Sequence, residues 1–322
     1  MISDPERVRA LLRTAPMPPV PETVPGETGI RWLRSQVPRF RNGAEHHRRR
    51  AAVQRELDRL DPEVLRASAR TRAGDPLAHV RTLLAALDLP ESAADSVALV
   101  AAAYQPHQPI TPAADAAVTD LVALCHTAIR HELDDRADPE RPDNGDCAGI
   151  SDSADSDIRV VALTCILVQA CGATGELISA ARAFDGAPLV ERPARIMAEA
   201  PPLRSTRRMV DGVATELDLR HPRLGFGAGP HRCPGGEHAL ALVTGVLEGD
   251  ASAANGTSPY SGPGAEGGCP GGDDNVPVGL ADDRCPGSRP GTCEGVVTTS
   301  PTEHEQCADP STAPDTDPRN AV

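Results

Sequence analysis

The residues best suited to chemistry are ten consecutive ones around a single cysteine, Cys233: Phe226-Gly-Ala-Gly-Pro-His-Arg-Cys-Pro-Gly235, followed by an apolar stretch. Because glycine has no Cβ, Gly227, Gly229 and Gly235 allow the backbone to pass close beneath a flat macrocycle. A thiolate in such a loop can be the axial ligand of a haem iron, where it donates electron density that favours O–O cleavage. We also expect amides at the start of the following helix to face the sulfur and stabilise its charge.

This segment resembles the haem-binding loop of the cytochrome P450 family, Phe-Gly-x-Gly-x-His-x-Cys-x-Gly, at every fixed position. The resemblance implies haem b (iron protoporphyrin IX) as the cofactor and Cys233 as its iron ligand. Phe226 and His231 fill the remaining fixed positions, and His231 is expected to contact a haem propionate. The alternative interpretation is a Gly/Pro surface loop that holds a structural cysteine.

An arginine-rich stretch, Gly43–Leu57, carries a second matching pattern. It resembles the family's helix with His-x-x-x-Arg, which contacts the haem propionates, and the matching residues are His46 and Arg50. These two lie one helical turn apart on one face. Each can donate a charge-assisted hydrogen bond to a carboxylate. The alternative is an arginine-rich helix face that is only solvated.

Two further segments resemble parts of the same family. Gln169-Ala-Cys-Gly-Ala-Thr-Gly-Glu176 is similar to the oxygen-binding groove, where Thr174 matches a threonine whose hydroxyl orients protons toward bound oxygen. A threonine that bonds back to a helix carbonyl is the alternative. In Pro201-Pro-Leu-Arg-Ser-Thr-Arg-Arg208, Arg208 matches an arginine that pairs with a propionate, with Arg207 as the alternative.

The sequence also departs from the family pattern. The buried Glu-x-x-Arg pair would fall on Arg195 and Ala198, and Ala173 stands where an acid normally precedes the threonine. The long meander before the cysteine loop is missing, and so is the strand-rich region after the last helix. Two functions therefore stay open: a monooxygenase-like haem protein, or a catalytically degenerate cytochrome P450-like partner or regulatory protein of a neighbouring enzyme. A haem-based sensor is a third possibility.

Helical periodicity and proline punctuation predict a mainly α protein, which the resemblance specifies as a trimmed cytochrome P450-like helical fold with minor β. We expect a haem domain at 1–248, with a disordered acidic insertion at 134–157, and a disordered acidic Gly/Pro/Ser tail at 249–322. The predicted helices are Pro5–Thr14, Gly43–Leu57, Pro62–Arg72, Leu77–Leu87, Ser92–Tyr104, Pro112–Leu133, Val160–Phe184 and a short one within Pro188–Arg208.

Composition argues against a nucleic-acid-binding protein and against a membrane-spanning one. The net charge is −14, and no basic face is evident, which argues against a nucleic-acid partner. No stretch approaches the roughly 20 apolar residues of a membrane span, and the first residues lack the order of a secretory signal. The nine cysteines include no Cys-x-x-Cys pair, so reduced thiols in a cytoplasm are expected.

The same reasoning assigns partners and minor residues. No dinucleotide fingerprint is evident, so the family resemblance implies a ferredoxin or flavin reductase as electron donor, and the Ala/Leu/Val-rich helices predict an apolar cavity for a small-molecule substrate. Cys165 and Cys171 lie in an apolar helix and are expected to be small core residues. His238, after the cysteine loop, is expected at the surface.

Overall fold

Ten α-helices and one two-stranded antiparallel sheet form the regular structure of residues 1–20, 23–24, 26–136 and 153–256, which are the residues described by the structure, a computed structural model. All of them lie in one unit of the chain, residues 1–264. The mainly helical fold with minor β is confirmed. The elements are α1 (Pro5–Thr14), α2 (Gly29–Gln36), α3 (Gly43–Leu57), α4 (Pro62–Arg70), α5 (Ala78–Ala86), α6 (Ala94–Tyr104), α7 (Pro112–Arg136), α8 (Ser153–Ala183), α9 (Arg192–Glu199), β1 (Ser205–Val210), β2 (Val213–Asp218) and α10 (Gly236–Ala254).

Helices with local start signals lie where the sequence predicts them. The side chain of Asp4 accepts a hydrogen bond from the amide of Arg7 at 2.8 Å, and Pro5 is the first residue of α1. Asp61 accepts from the amide of Glu63 in the same way at the start of α4. Such caps satisfy backbone donors that have no partner within the helix, so they fix where a helix begins.

Helix α2 was not predicted, because its cap comes from a distant part of the chain. The amide of Ile30 donates to the carboxylate of Asp115, on α7, at 2.8 Å. A Cβ on Gly29 would lie 2.3 Å from the same carboxylate oxygen. A cap that is supplied from α7 leaves no pattern near α2 itself.

The predicted disordered insertion at 134–157 is wrong at both of its ends. Helix α7 continues to Arg136 and α8 already begins at Ser153, while 137–152 lie outside the described residues. Acidic residues favour a helix N-terminus, and Asp155 lies in the first turn of α8. Acidic composition at this point therefore supports a helix start as well as a loop.

Helix α8 is the centre of the core. It packs against α3, α5, α6, α7 and α10, and its residues from Val160 to Val168 are all buried. By length and composition alone, Asp155–Ala183 could cross a membrane, which the sequence analysis did not anticipate. However, 67% of its most apolar window is buried inside the protein, as in the central helix of a water-soluble core.

Two glycines of α10 allow it to lie unusually close to α4. A Cβ on Gly245 would come within 2.2 Å of the carbonyl oxygen of Arg66, and one on Gly249 within 2.4 Å of the carbonyl oxygen of Arg70. The side chain of Arg66 also pairs with Glu248. The backbones of these two helices therefore touch where any side chain on the glycines would separate them.

The predicted boundary between domain and tail, between residues 248 and 249, is wrong because α10 continues past it. Gly249 resembles a helix stop, but its lack of a side chain serves the contact with α4, and α10 continues to Ala254. Asp250 holds the next turn through a 2.9 Å ion pair with Arg182 of α8. The rest of the predicted tail, 257–322, lies outside the described residues.

The sheet is a hairpin with a tight turn. β1 pairs antiparallel with β2 from Ser205↔Asp218 to Val210↔Val213. Asp211 and Gly212, with φ of +50° and +77°, form the connection, as is usual for a two-residue hairpin turn. Ile2 adds a bridge to β2, since its amide donates to the Glu216 carbonyl at 2.8 Å.

A second, smaller core lies under this hairpin. It consists of apolar residues from α1, from β2 and from the segment that follows β2: Val8, Leu12, Leu217, Leu219 and Leu224. Helix α1 is thereby fixed to the chain just before the cysteine loop. The start of the chain and its later hairpin form one substructure.

An ion-pair network joins α3, α7 and α8. Arg159 of α8 lies 2.8 Å from Glu56, whose side chain is 8% exposed, and also pairs with Glu132. Arg59 contacts both carboxylates, each at 2.9 Å. The family pattern would place a buried acid–arginine pair at positions 195 and 198, whereas this network occupies a different part of the core.

Arg159→Met should destabilise the protein by about 2 kcal/mol, as measured by urea unfolding. The substitution leaves the buried Glu56 with one cation instead of two, and an uncompensated buried charge is costly. Arg9→Met is the matched control, because among the described residues Arg9 pairs with the exposed Glu6 alone; this variant should cost less than about 0.5 kcal/mol. Equal losses in both variants would contradict this ranking.

Candidate functional site

The cysteine loop folds back on itself before α10 begins. The amide of Cys233 donates to the carbonyl of Phe226 at 2.9 Å, and the amide of Gly227 donates to Leu224 at 2.8 Å. A single 3₁₀ turn, Gly229–His231, forms the bend. These backbone bonds fix the position of Cys233 relative to the start of the loop.

Gly229 is required at the point where the loop meets α1. Its φ is +69°, and a Cβ there would lie 2.7 Å from the Cα of Arg13 and 2.8 Å from the carbonyl of Leu12. Gly227 also has positive φ, whereas Gly235 has an ordinary φ of −96° and precedes α10. The predicted close approach to a macrocycle stays a prediction, and contact with α1 is a separate reason for the glycine at 229.

The thiol of Cys233 is exposed to solvent, yet protein atoms surround it closely enough to affect its ionisation. Desolvation raises its pKa, while the backbone amide of Gly235 and the guanidinium groups of Arg50 and Arg232 act in the opposite direction. The amide at the helix start that we predicted is therefore the one at Gly235. Desolvation outweighs these groups and the pKa of Cys233 is raised, so the free side chain is a thiol; the three groups would stabilise its anion once a metal binds the sulfur.

Four predicted residues from separate segments meet next to this loop: His46 and Arg50 of α3, Arg208 of β1 and His231 of the loop. We call them the cation cluster. The rings of His46 and His231 lie 3.9 Å apart, centroid to centroid. Arg50 and Arg208 are close enough to lower the pKa of both imidazoles.

Arg208 is the most deeply placed charge of the cluster. It is 3% exposed and donates to the Thr206 hydroxyl at 3.2 Å and to the Arg207 carbonyl at 2.8 Å, but its Nε has no partner among the described residues. Burial, and then the charge of Arg39, lowers its pKa to about 10. Arg207 is exposed, so Arg208 is the arginine of the two that enters the cluster.

Among the described residues, no carboxylate shifts the pKa values of the cluster. Burial and neighbouring cations hold the pKa of His46 to about 4 and that of His231 to about 3. Arg50 makes no ion pair or hydrogen bond with any described residue, and burial lowers its pKa. Because buried cations normally have counter-ions, the cluster is suited to bind an anion with several carboxylate oxygens.

Comparison with solved structures identifies the fold around this site. P450BioI, solved with an acyl carrier protein ligated to hexadec-9Z-enoic acid, matches with a TM-score of 0.53 and 14% identity over 76% of this chain and 82% of its own. CalO2 matches with a TM-score of 0.53 and 12% identity over 76% and 80%. Mycobacterium smegmatis CYP164A2 matches with 0.51 and 19% over 76% and 82%.

The chain has a cytochrome P450-like fold. No protein-family model matches the sequence, and no curated protein matches it either. Sequence identities below 20% establish the fold but not the reaction. The predicted fold is thus confirmed, while the chemistry depends on the residues of the site.

Thr174 lies in the core of the cytochrome P450-like fold. It is 3% exposed in α8, and no hydrogen bond within the described part of the chain joins it to the cysteine loop. Cys165 is a residue of α8 whose pKa responds to the loop: burial is the main cause that raises its pKa to about 12, and the Cys233 thiol acts in the same direction. The role of Thr174 stays a prediction, and Cys165 was assigned only to the core.

Arg39 and His238 also contribute to this part of the cytochrome P450-like fold, and neither was predicted to do so. The guanidinium of Arg39 lies over the ring of Phe40, 5.5 Å from its centroid. His238 is half-buried rather than at the surface, because its Nε2 lies 3.0 Å from the carbonyls of both Leu57 and Leu60 at the end of α3. A polar residue on an otherwise apolar helix face was the only signal for His238.

A groove of about 960 Å³ lies elsewhere, and its lining includes neither the cysteine loop nor the cation cluster. Residues of α5, α8 and α9 form it, together with the chain before and after the hairpin. Its charged and polar lining residues include His79, Glu176, Ser179, Glu199, Arg204 and Arg220. Its size alone does not make it the site of the predicted chemistry. Among the described residues, no three His, Cys, Asp or Glu side chains gather as a metal cluster.

Acid should destabilise the protein without added haem through His46. Its pKa is lowered from 6.5 to about 4, so the unfolded chain takes up a proton near pH 6.5 that the folded chain takes up only near pH 4. The stabilisation is therefore complete above pH 6.5 and is lost as the pH falls toward 4. We expect the free energy of unfolding to fall by about 2–3 kcal/mol across this window.

Urea unfolding at several pH values between about 7 and 4.5 measures this effect. His46→Gln should make the pH dependence shallower and leave the part contributed by His231, whose pKa is lowered to about 3, whereas His107→Gln, at an exposed position, should leave the dependence unchanged. An equally steep loss of stability in His46→Gln would show that other groups cause it.

Proposed function

We propose that this protein is a haem-thiolate oxidoreductase of the cytochrome P450 type, which inserts one oxygen atom from O₂ into a small apolar organic substrate. The cofactor would be haem b, and Cys233 would hold its iron through the sulfur. The observation that carries this proposal is the assembly of an accessible cysteine and four cationic or imidazole groups, without a carboxylate, from three separate parts of the chain.

The residues present fit haem b by the chemistry of their donors. The iron needs a thiolate, and Cys233 lies in an exposed loop with an amide and two arginines that favour its anion. The two propionates need cations, which Arg50 and Arg208 supply. The unpartnered Nε of the buried Arg208 is a donor that still lacks an acceptor. His46 and His231, neutral at pH 7, would add imidazole N–H donors.

When bound, haem supplies the redox chemistry that activates oxygen. The chain itself holds the sulfur and stabilises its charge through the Gly235 amide, Arg50 and Arg232. The apolar face of α8 would exclude water and orient the substrate. The hydroxyl of Thr174 would hold a proton close to where oxygen reacts. Phe226 would pack against the cofactor.

The same proposal includes the partners. A ferredoxin or flavin reductase would deliver electrons, and a small molecule is the substrate. We place the protein in the cytoplasm, with no membrane or nucleic-acid partner. These assignments follow from the family resemblance and from composition.

The carbon monoxide difference spectrum of the reduced, haem-supplemented protein tests the proposal. A red-shifted Soret band is expected, because thiolate ligation of the iron produces it. A protein that takes up no haem, or that gives only an unshifted band, would contradict the assignment of Cys233.

A second function is favoured by one specific observation. Arg195 is exposed and pairs with Glu199 at 2.9 Å, so the family's internal Glu-x-x-Arg pair is absent from α9. A cytochrome P450-like protein that has lost turnover could act as a partner or regulatory subunit. Substrate-dependent oxygen consumption with an added redox partner would exclude this second function, and haem binding without turnover would favour it.

A further inference from the structure

The groove of about 960 Å³ is a cavity that the proposed function does not use. Gly172 and Glu176 of α8 line it, and each is two residues from Thr174. At about 3.6 residues per turn, two residues turn a helix by about 200°, so the groove lies on the side of α8 opposite Thr174. A volume of this size is typical of sites for small organic molecules. A ligand held here would be separate from one at the haem site.

The wall of the groove formed by α5 and α8 offers hydrogen-bond acceptors. His79 is 2% exposed, and its Nε2 lies 3.0 Å from the Cys171 carbonyl, which can only accept, so Nε2 carries the proton. Burial lowers the pKa of His79 and keeps the ring neutral, which leaves Nδ1 as an acceptor without a partner among the described residues. Glu176 adds an exposed carboxylate. Because buried acceptors are nearly always paired, this wall favours a ligand that donates hydrogen bonds.

A second wall, between the end of α9 and the start of β1, offers a cation. Arg204 is exposed, and its side chain makes no ion pair or hydrogen bond with any residue that the structure describes. The other charged residues of the lining are already paired: Glu199 with Arg195 at 2.9 Å, and Arg220 with Asp218 at 2.8 Å. Glu176 likewise has no partner within the described ranges. The two unpaired charges of the groove therefore have opposite signs, lie on different walls and do not pair with each other.

Much of the remaining lining is apolar. Pro76 and Leu77 line the groove before α5, and Pro201 and Pro202 line it after α9. Such surface favours hydrocarbon, because its contact with a ligand removes apolar area from water. A ligand that suits the whole groove has an ammonium group at one end, a carboxylate at the other and methylene groups between them.

We propose that this groove binds a small zwitterion of the ω-amino acid class, whose ammonium group pairs with Glu176 and whose carboxylate pairs with Arg204. Each end then makes a charge-assisted hydrogen bond, which is stronger than a neutral one. A ligand with a single charge would leave one of the two side chains unpaired. The inference goes beyond the proposed function, since the lining includes neither the cysteine loop nor the cation cluster.

Equilibrium dialysis of the purified full-length protein with 6-aminohexanoate, hexanoate and hexylamine tests this inference. The three probes share a six-carbon chain and differ only in their charged ends. We expect 6-aminohexanoate to bind at least about tenfold more tightly than either probe with one charge. Equal binding of the three probes, or no measurable binding of 6-aminohexanoate, would overturn the proposal.

Variants that remove one charge separate the two ends of the ligand. Glu176→Gln should abolish the preference for 6-aminohexanoate over hexanoate, and Arg204→Gln should abolish its preference over hexylamine. Glu191→Gln and Arg70→Gln are the matched controls, because both positions are exposed and lie outside the lining, and they should bind as the wild type does. A preference that survives in either groove variant, or equal losses in the controls, would contradict the assigned contacts.

A variant that fills the groove gives an independent test. A Cβ on Gly172 meets nothing within 4 Å, so a larger side chain can enter the groove from α8. Gly172→Leu should keep the urea midpoint of the wild type and bind 6-aminohexanoate at least about tenfold more weakly. Gly172→Ala, whose methyl group fills little of the groove, is the control. Full binding by a folded Gly172→Leu would place the ligand elsewhere and overturn the proposal.

The groove and the haem site are read out separately. The carbon monoxide spectra of Glu176→Gln and Arg204→Gln should equal that of the wild type, because neither residue belongs to the haem site. The dialysis has the same expected and contrary outcomes whether or not the protein takes up haem. Failure of the dialysis together with a normal thiolate spectrum would leave the proposed function intact.

Discussion

Cys233→Ala should abolish the red-shifted Soret band of the reduced carbon monoxide complex and weaken haem binding at least about tenfold. The variant removes the only sulfur of the cysteine loop, while the cation cluster still offers donors to the propionates. Haem that remains bound would then show a spectrum without thiolate ligation. Absorption spectra and haem titration measure the two effects.

Cys171→Ala is the matched control, because Cys171 is a half-buried thiol of α8 that lines the separate groove. Its spectrum should equal that of the wild type. A red-shifted band that persists in Cys233→Ala would mean that another cysteine binds the iron. A wild type that binds no haem would shift the search to protein partners.

Gly245→Ala should destabilise the protein by about 3 kcal/mol, which lowers the melting temperature by about 6–12 °C. The new methyl group would lie 2.2 Å from the Arg66 carbonyl oxygen, so α4 and α10 must separate. A backbone carbonyl in a helix cannot turn aside as a flexible side chain would. Thermal and urea unfolding of the haem-free protein measure the loss.

Gly172→Ala provides the control in another helix. A Cβ on Gly172 meets nothing within 4 Å, so this variant should be neutral or more stable by up to about 1 kcal/mol, as expected for alanine in a helix. Similar losses in both variants would show that the contact between the two helices is not what requires glycine.

The residues of the candidate site could be found from the sequence because each lies in a short, self-contained pattern. Cys233 and His231 lie within one run, and His46 and Arg50 are one helical turn apart. The choice between Arg207 and Arg208 required the structure, because neighbouring strand residues face opposite sides and only the register shows which is buried.

Features that depend on distant partners could not be predicted. The cap of α2 comes from Asp115, and Arg159 meets Glu56 across the core. The end of α10 was misplaced because Gly249 has two readings, a helix stop or a close contact, and only the position of α4 decides between them. Arg39 carries no pattern that would distinguish it from the many other arginines.

The contact between Gly229 and α1 has a consequence for the order of synthesis. Helix α1 leaves the ribosome before the other described helices, but the loop and hairpin that cover its apolar side, Val8 and Leu12, are made only after α9. Until then this side is open to chaperones or to other nascent chains. Closure of the cysteine loop therefore depends on a contact between α1 and a segment that is made only after α9, so slowed translation between these two segments would prolong the interval in which α1 is uncovered.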